Sequence, residues 1–254
     1  MLLKEFKLGK LFGIEFAIDL SWIIIFTLVT TNLFVLYSEE YGELAYAYPQ
    51  IAGAIFVLMA LGTSLLFFLS LLAHEMGHSV IAIKNGIPVQ GITLFIFGGV
   101  AKITHEPTKP SHEFFIAVAG PIVSLLLSGL FLLTSTLFPL NSPIGIVLEW
   151  LGVINLVLAI FNMLPGFPMD GGRVLRACIW QFTGNLAKAT KIASWIGRGF
   201  AGILIGFGLL RPFIFPGESL LSGVWMILIG CYLYYVAYRS GKQSIQMARL
   251  HQHA

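Results

Sequence analysis

The chain has 254 residues, of which 57% are hydrophobic and 11% charged, and a net charge of +3; its mean hydropathy is +0.87. Soluble domains carry about 25% charged residues, so this composition excludes an ordinary soluble fold and points to a polytopic membrane protein whose first partner is the lipid bilayer. The small net charge comes with no Lys/Arg cluster among aromatics, which excludes a nucleic-acid partner, and it reads instead as positive loops on the cytoplasmic side.

In chain order, Lys4, Lys7 and Lys10 precede a loosely alternating stretch, Phe12 to Asp19, expected as a short strand at the membrane surface. No small-residue cleavage pattern follows, so no cleavable leader is expected. The first span is placed at 21–37, followed by a polar loop with Glu39, Glu40, Glu43 and Pro49. An apolar stretch from Ile51 to Ile83 exceeds the roughly 20 residues that cross a bilayer. Its span is placed at 60–83, ending at Lys84-Asn85-Gly86, where the glycine suits a helix C-terminus. Val89 to Thr104 is β-branched and aromatic, broken at Gly98-Gly99, and is expected as a small hairpin at the interface. Further spans are placed at 114–138, 144–164, 192–210 and 220–238. Gly120-Pro121 could kink or begin the third. The fourth stops at Pro165-Gly166-Phe167-Pro168, because each proline lacks an N–H and restricts its predecessor. A short helix over about 173–182 follows, with Arg173 and Arg176 expected to face anionic lipid. Cys178 and Cys231 lie far apart and form no metal-binding pair or disulfide framework.

The fold class expected is therefore an all-α polytopic membrane protein. Six transmembrane helices form a single domain over 1–254, with a small interfacial β-hairpin or sheet near the active site. Six spans put both termini on one side. Thirteen of the fifteen Lys and Arg residues fall on that side, Arg198 and Arg211 being the exceptions, so both termini are expected in the cytoplasm.

The chemistry gathers at His74-Glu75-Met76-Gly77-His78, inside the second apolar stretch. On a helix, residues four apart lie about 40° apart around the axis and about 6 Å apart along it. The two imidazoles therefore face one way and can hold one metal ion, with Glu75 beside them as a general base. The bland alternative, a hydrogen-bonded histidine pair, leaves Glu75 unexplained. A catalytic zinc usually takes three protein ligands. Asp170 is the candidate for the third, because the proline break at the end of the fourth span can hold it at matching depth. Irregular backbone at membrane depth implies a polar cavity. Asp170 could equally act as an N-cap for the helix after it.

Two stretches make the sequence resemble the site-2 proteases, membrane-embedded zinc metalloproteases. One is His74 to His78; the other is Phe161-Asn162-Met163-Leu164-Pro165-Gly166-Phe167-Pro168-Met169-Asp170-Gly171-Gly172-Arg173. Phe97-Gly98-Gly99-Val100-Ala101 and Ala119-Gly120-Pro121 add to the likeness. It is strongest to the compact prokaryotic branch without a PDZ domain; members of that branch often carry a C-terminal pair of CBS domains, and none is expected here. The resemblance implies one catalytic Zn2+ held by His74, His78 and Asp170, Glu75 as general base, and Asn162 near the scissile peptide as an oxyanion donor. It implies an endopeptidase that cuts in or near the transmembrane segment of a single-span membrane protein. The active site would lie within the membrane, toward the cytoplasmic side. An extended substrate could add to a strand edge within Gly91–Thr104. Two rival readings of the same residues are a proton- or metal-coupled transporter with a His/Glu/Asp ion path, and a scaffold that binds helices without cutting them. Substrate identity and oligomeric state are not legible.

Overall fold

The structure is a computed structural model that describes residues 5–11, 13–42, 46, 49–96, 98–139, 142–215 and 220–252. Lys4, Phe12, Glu43 and Phe97, which entered the expectations above, lie outside the described residues. The chain divides into two compact units, one of residues 1–106 and 119–160 and one of residues 107–118 and 161–254.

In the first unit, four strands form one sheet: β1 (Glu5–Leu11), β2 (Ile14–Asp19), β3 (Val89–Phe95) and β4 (Gly98–Ile103), in the order β1-β2-β3-β4. β1 and β2 make an antiparallel hairpin that turns at Gly13, whose φ of 81° favours glycine. The expected single strand near the N-terminus is thus two. β2 runs parallel to β3, with Ala17 opposite Thr93, and β3 runs antiparallel to β4, with Ile92 opposite Ala101. A parallel pair needs a long crossover. Helices α1 (Trp22–Glu40) and α2 (Ala52–Lys84) supply it. Ile14, Phe16, Ile92 and Leu94 are buried. On the exposed side, the Lys7 ammonium donates to Glu15 over 2.8 Å, which holds Lys7 above and Glu15 below its ordinary pKa.

α1 and α2 join through a core of Tyr37, Phe56, Met59 and Ala60 and through side-chain bonds that suit an apolar medium: Tyr37 to Thr63 at 3.0 Å and Thr30 to Ser64 at 2.9 Å. α2 ends at Asn85, and Gly86 takes the positive φ of 76° expected there. α4 (Pro143–Asn162) and α3 (Pro110–Ser135) both open on proline, the residue suited to a first helical position. Pro121 is interior to α3, so it neither begins nor ends that helix.

In the second unit, α5 (Asp170–Thr183) ends at Gly184, in the left-handed region at φ 66°. α6 (Leu186–Ile214) is capped by Asn185, whose side chain accepts from the Lys188 N–H at 2.9 Å. α7 (Leu220–Gln252) completes the described chain. α6 and α7 lie antiparallel at three contacts spaced seven residues apart. A Cβ on Gly208 would meet the Gly223 carbonyl at 2.8 Å, one on Gly230 would meet that of Ala201 at 3.0 Å, and the Ser194 hydroxyl donates to the Ala237 carbonyl at 2.5 Å. Small residues at such spacing let backbones approach closely. Arg176 departs from the lipid-facing position expected of it: it is buried in an ion pair with Glu113.

Among the described residues, five helices are long and apolar enough to cross a membrane: α1, α2, α3, α4 and α6. The count of six therefore falls by one. The span expected at 220–238 lies in α7, which is not among these five. Large side chains such as Leu58, Leu126 and Leu133 stand exposed at 69%, 68% and 73%. Such an apolar exterior would be a liability in water. The chain is a multi-pass membrane protein.

Candidate metal centre

His74 and His78 sit on α2, four residues apart and both buried. Their rings stand nearly perpendicular, at 80° with centroids 4.8 Å apart, and their Nε2 atoms converge to 3.2 Å. Two nitrogens held about 2.0–2.1 Å from one tetrahedral ion are about 3.3 Å apart. The His74 ring is fixed from behind, with Nδ1 2.8 Å from the Ser124 hydroxyl on α3. If the Nδ1–H donates to that oxygen, Nε2 is left as the coordinating atom, as metal-binding histidines commonly are held.

The space beside the two Nε2 atoms exists because α3 carries glycine there. A Cβ on Gly120 would collide with Nε2 and Cε1 of His78 and stand 2.6 Å from Nε2 of His74. One turn along α2, a Cβ on Gly77 would lie 3.0 Å from the Ala119 carbonyl and 2.9 Å from Val123. The two helices thus touch backbone to backbone at the histidine pair. The residues fit a zinc ion: two converging imidazoles, a bracing hydroxyl and a small cradle that one methyl group would fill.

Glu75 is half-buried next to His74, and its side chain packs on strand β4. A Cβ on Gly99 would lie 2.6 Å from Glu75 Cγ and 3.4 Å from its Oε1. The Glu75 side chain thus packs against β4, at the end of the sheet order among the described residues.

Asp170 belongs to the second unit. It is the first residue of α5 and is 9% exposed. The N-cap is Met169, so Asp170 is not the cap weighed for it from the sequence. A carboxylate in the first turn is favoured by the helix dipole. The loop before it doubles back tightly: a Cβ on Gly171 would collide with the Met163 carbonyl, and one on Gly172 with Gly166. Asn162 is the last residue of α4 and half-buried, and Asn155 is buried, donating to the Leu151 carbonyl at 2.8 Å. His105 is exposed, with Nδ1 2.9 Å from the Thr104 hydroxyl, well placed for solvent.

Residues 62–142 and 139–205 match the profile of Peptidase family M50. The chain belongs to that family. A candidate zinc metalloprotease of Synechocystis sp., sll0528, is 42% identical over 89% of this chain and 57% of its own length. Rip3 of Mycobacterium tuberculosis, also named as a candidate zinc metalloprotease, is 36% identical over 91% of this chain and 57% of its own length. Among solved structures, the site-2 protease from Methanocaldococcus jannaschii superposes with a TM-score of 0.60 at 31% identity, covering 94% of this chain and 95% of that one. The chain spans a little over half the length of the two curated relatives. The likeness to site-2 proteases read from the two motifs is borne out, and both motifs lie inside the matched M50 region.

Gly120, Gly99 and Ser124 were not read from the sequence as parts of the site. In the sequence Gly98-Gly99 marks a strand break and Gly120-Pro121 a helix kink or start, and neither reading reaches the histidines or Glu75; a serine within an apolar helix carries no mark of the histidine it braces.

Proposed function

We propose that this M50 chain is an intramembrane zinc endopeptidase that hydrolyses a peptide bond in or beside the transmembrane segment of a single-span membrane protein. The observation that carries the reading is the convergence of the His74 and His78 Nε2 atoms at 3.2 Å, with Glu75 next to them under an edge strand. In this reading His74, His78 and Asp170 hold one ion, the donor set of two imidazoles and a carboxylate being that of hydrolytic zinc. The zinc, when bound, acts as a Lewis acid on water and on the peptide carbonyl. Glu75 accepts the proton of the attacking water at its carboxylate and returns it to the leaving amine. Asn162 donates to the developing oxyanion.

A helical substrate hides its backbone and must be drawn out. Among the described residues β4 stands at the end of the sheet order, so its outer edge is the one to which a strand would add. Gly99 on that strand packs against Glu75, so a segment added there runs past the base. The lysine and arginine asymmetry supports both termini in the cytoplasm and the histidine pair toward that side.

Glu75→Gln tests the base. The purified full chain should keep its zinc and lose at least about 100-fold in cleavage of a co-reconstituted single-span substrate. Cleavage near the wild-type rate with zinc bound sinks the assignment.

A further inference from the structure

Outside the proposed chemistry, the second unit contains an ion pair that both partners bury. Glu113, in the first turn of α3, is 0% exposed, and Arg176, in the middle of α5, is 9% exposed. Nε of Arg176 donates to Glu113 Oε1 at 2.6 Å, and Nη2 donates to the same oxygen. Stability alone is a poor reason for such a pair, because apolar residues of the same volume often serve as well or better. Its surroundings give it another use.

The Arg176 guanidinium lies over the ring of Phe167, 5.2 Å from the centroid. Phe167 stands three residues before Asp170, inside the loop that follows α4. That loop is already clamped along its backbone. The Phe167 N–H donates to the Ala193 carbonyl at 3.2 Å, and a Cβ on Gly197 would collide with the Phe167 carbonyl. The glycines at 171 and 172 close it against the start of α5. A loop with so little backbone slack transmits the placement of its buried ring to the residue three positions on. A planar cation, forked onto a fixed carboxylate, can hold a ring face in one orientation; a lysine ammonium or an alkyl chain cannot.

We infer that Glu113 and Arg176 are a positioning pair for the metal-ligand loop: by fixing the face of Phe167 they set where Asp170 presents its carboxylate. This rests on the reading of Asp170 as a ligand. Outer-shell partners of metal ligands typically control affinity by about 10–100-fold, and the pair would act one residue contact further out, through the loop.

The experiment uses the purified full chain in detergent, with zinc affinity measured by chelator competition and ligand geometry read from the visible bands of the cobalt(II) form. Arg176→Lys, the double variant Glu113→Leu/Arg176→Met, and Phe167→Leu should each weaken zinc about 10-fold or more and shift the cobalt bands. Phe167→Leu leaves the ion pair intact, so it keeps the test decisive even where the double variant fails to fold. Wild-type affinity and unshifted bands in folded Arg176→Lys and Phe167→Leu overturn the proposal. Asp170→Ala is run beside them. If it changes affinity and bands while the pair and ring variants do not, only the positioning role falls. If Asp170→Ala changes neither, or the wild type takes up no metal, the ligand reading falls and the positioning role with it.

Discussion

Two glycines at the site make opposite demands that single methyl groups can separate. Gly120 faces the Nε2 atoms of both histidines, and Gly99 faces the side chain of Glu75. Alanine is a better helix former than glycine by about 1 kcal/mol, so Gly120→Ala should not cost α3 its helix. Its methyl would instead take the space beside Nε2 of His74 and His78. The expected outcome is a folded protein whose zinc content, measured by atomic absorption, falls at least about 10-fold. Gly99→Ala should behave differently: it forces Glu75 to rotate away but leaves the histidines alone, so zinc stays near one per chain while cleavage falls at least about 10-fold. Equal zinc loss in the two variants contradicts this division of roles. The convergence of His74 and His78 was legible from the sequence because helix periodicity fixes which side chains share a face. The glycines were not, since what matters at them is the partner across a helix crossing. The same limit hid the Glu113–Arg176 pair, whose members are 63 residues apart.

At the scale of elements, the hairpin was legible from β-branched residues around Gly98-Gly99, and the broken end of α4 from its prolines. The parallel pairing of β2 with β3 was not, because nothing local records which distant strand lies alongside. That pairing decides where a substrate strand can add. β3 is flanked by β2 and β4, so proline anywhere in Val89–Phe95 breaks the sheet itself and says nothing about substrate. The informative strand is β4. Along an edge strand, the N–H groups of successive residues point alternately to the partner and away. A proline scan over Gly98–Ile103 should therefore give a period-two result. Positions whose N–H faces β3 should lose thermal stability. Those whose N–H faces outward should keep stability and zinc but lose cleavage. Outward positions that cleave at the wild-type rate would rule out strand addition at β4.

For the whole molecule, the placement of the termini turns on α7. Among the described residues it is not one of the helices selected as spans, so its course rests on its partner. α6 is long and apolar enough to cross, and α7 lies along it in the opposite direction through three contacts of small residues, from Gly208 with Gly223 to Ser194 with Ala237. Those contacts cover fourteen residues of each helix, which at 1.5 Å per residue is about 20 Å, most of a hydrocarbon core about 30 Å thick. An α7 that keeps those contacts runs back along α6, toward the end of the pair where α6 begins. The proposed cytoplasmic placement of both termini requires that course. Reporter domains fused at each end, one active only in the cytoplasm and one only outside it, measure this directly. Both ends should report the cytoplasm. A C-terminal fusion active outside would mean that α7 does not run back with α6, and an N-terminal fusion active outside would overturn the proposed orientation of the histidine pair.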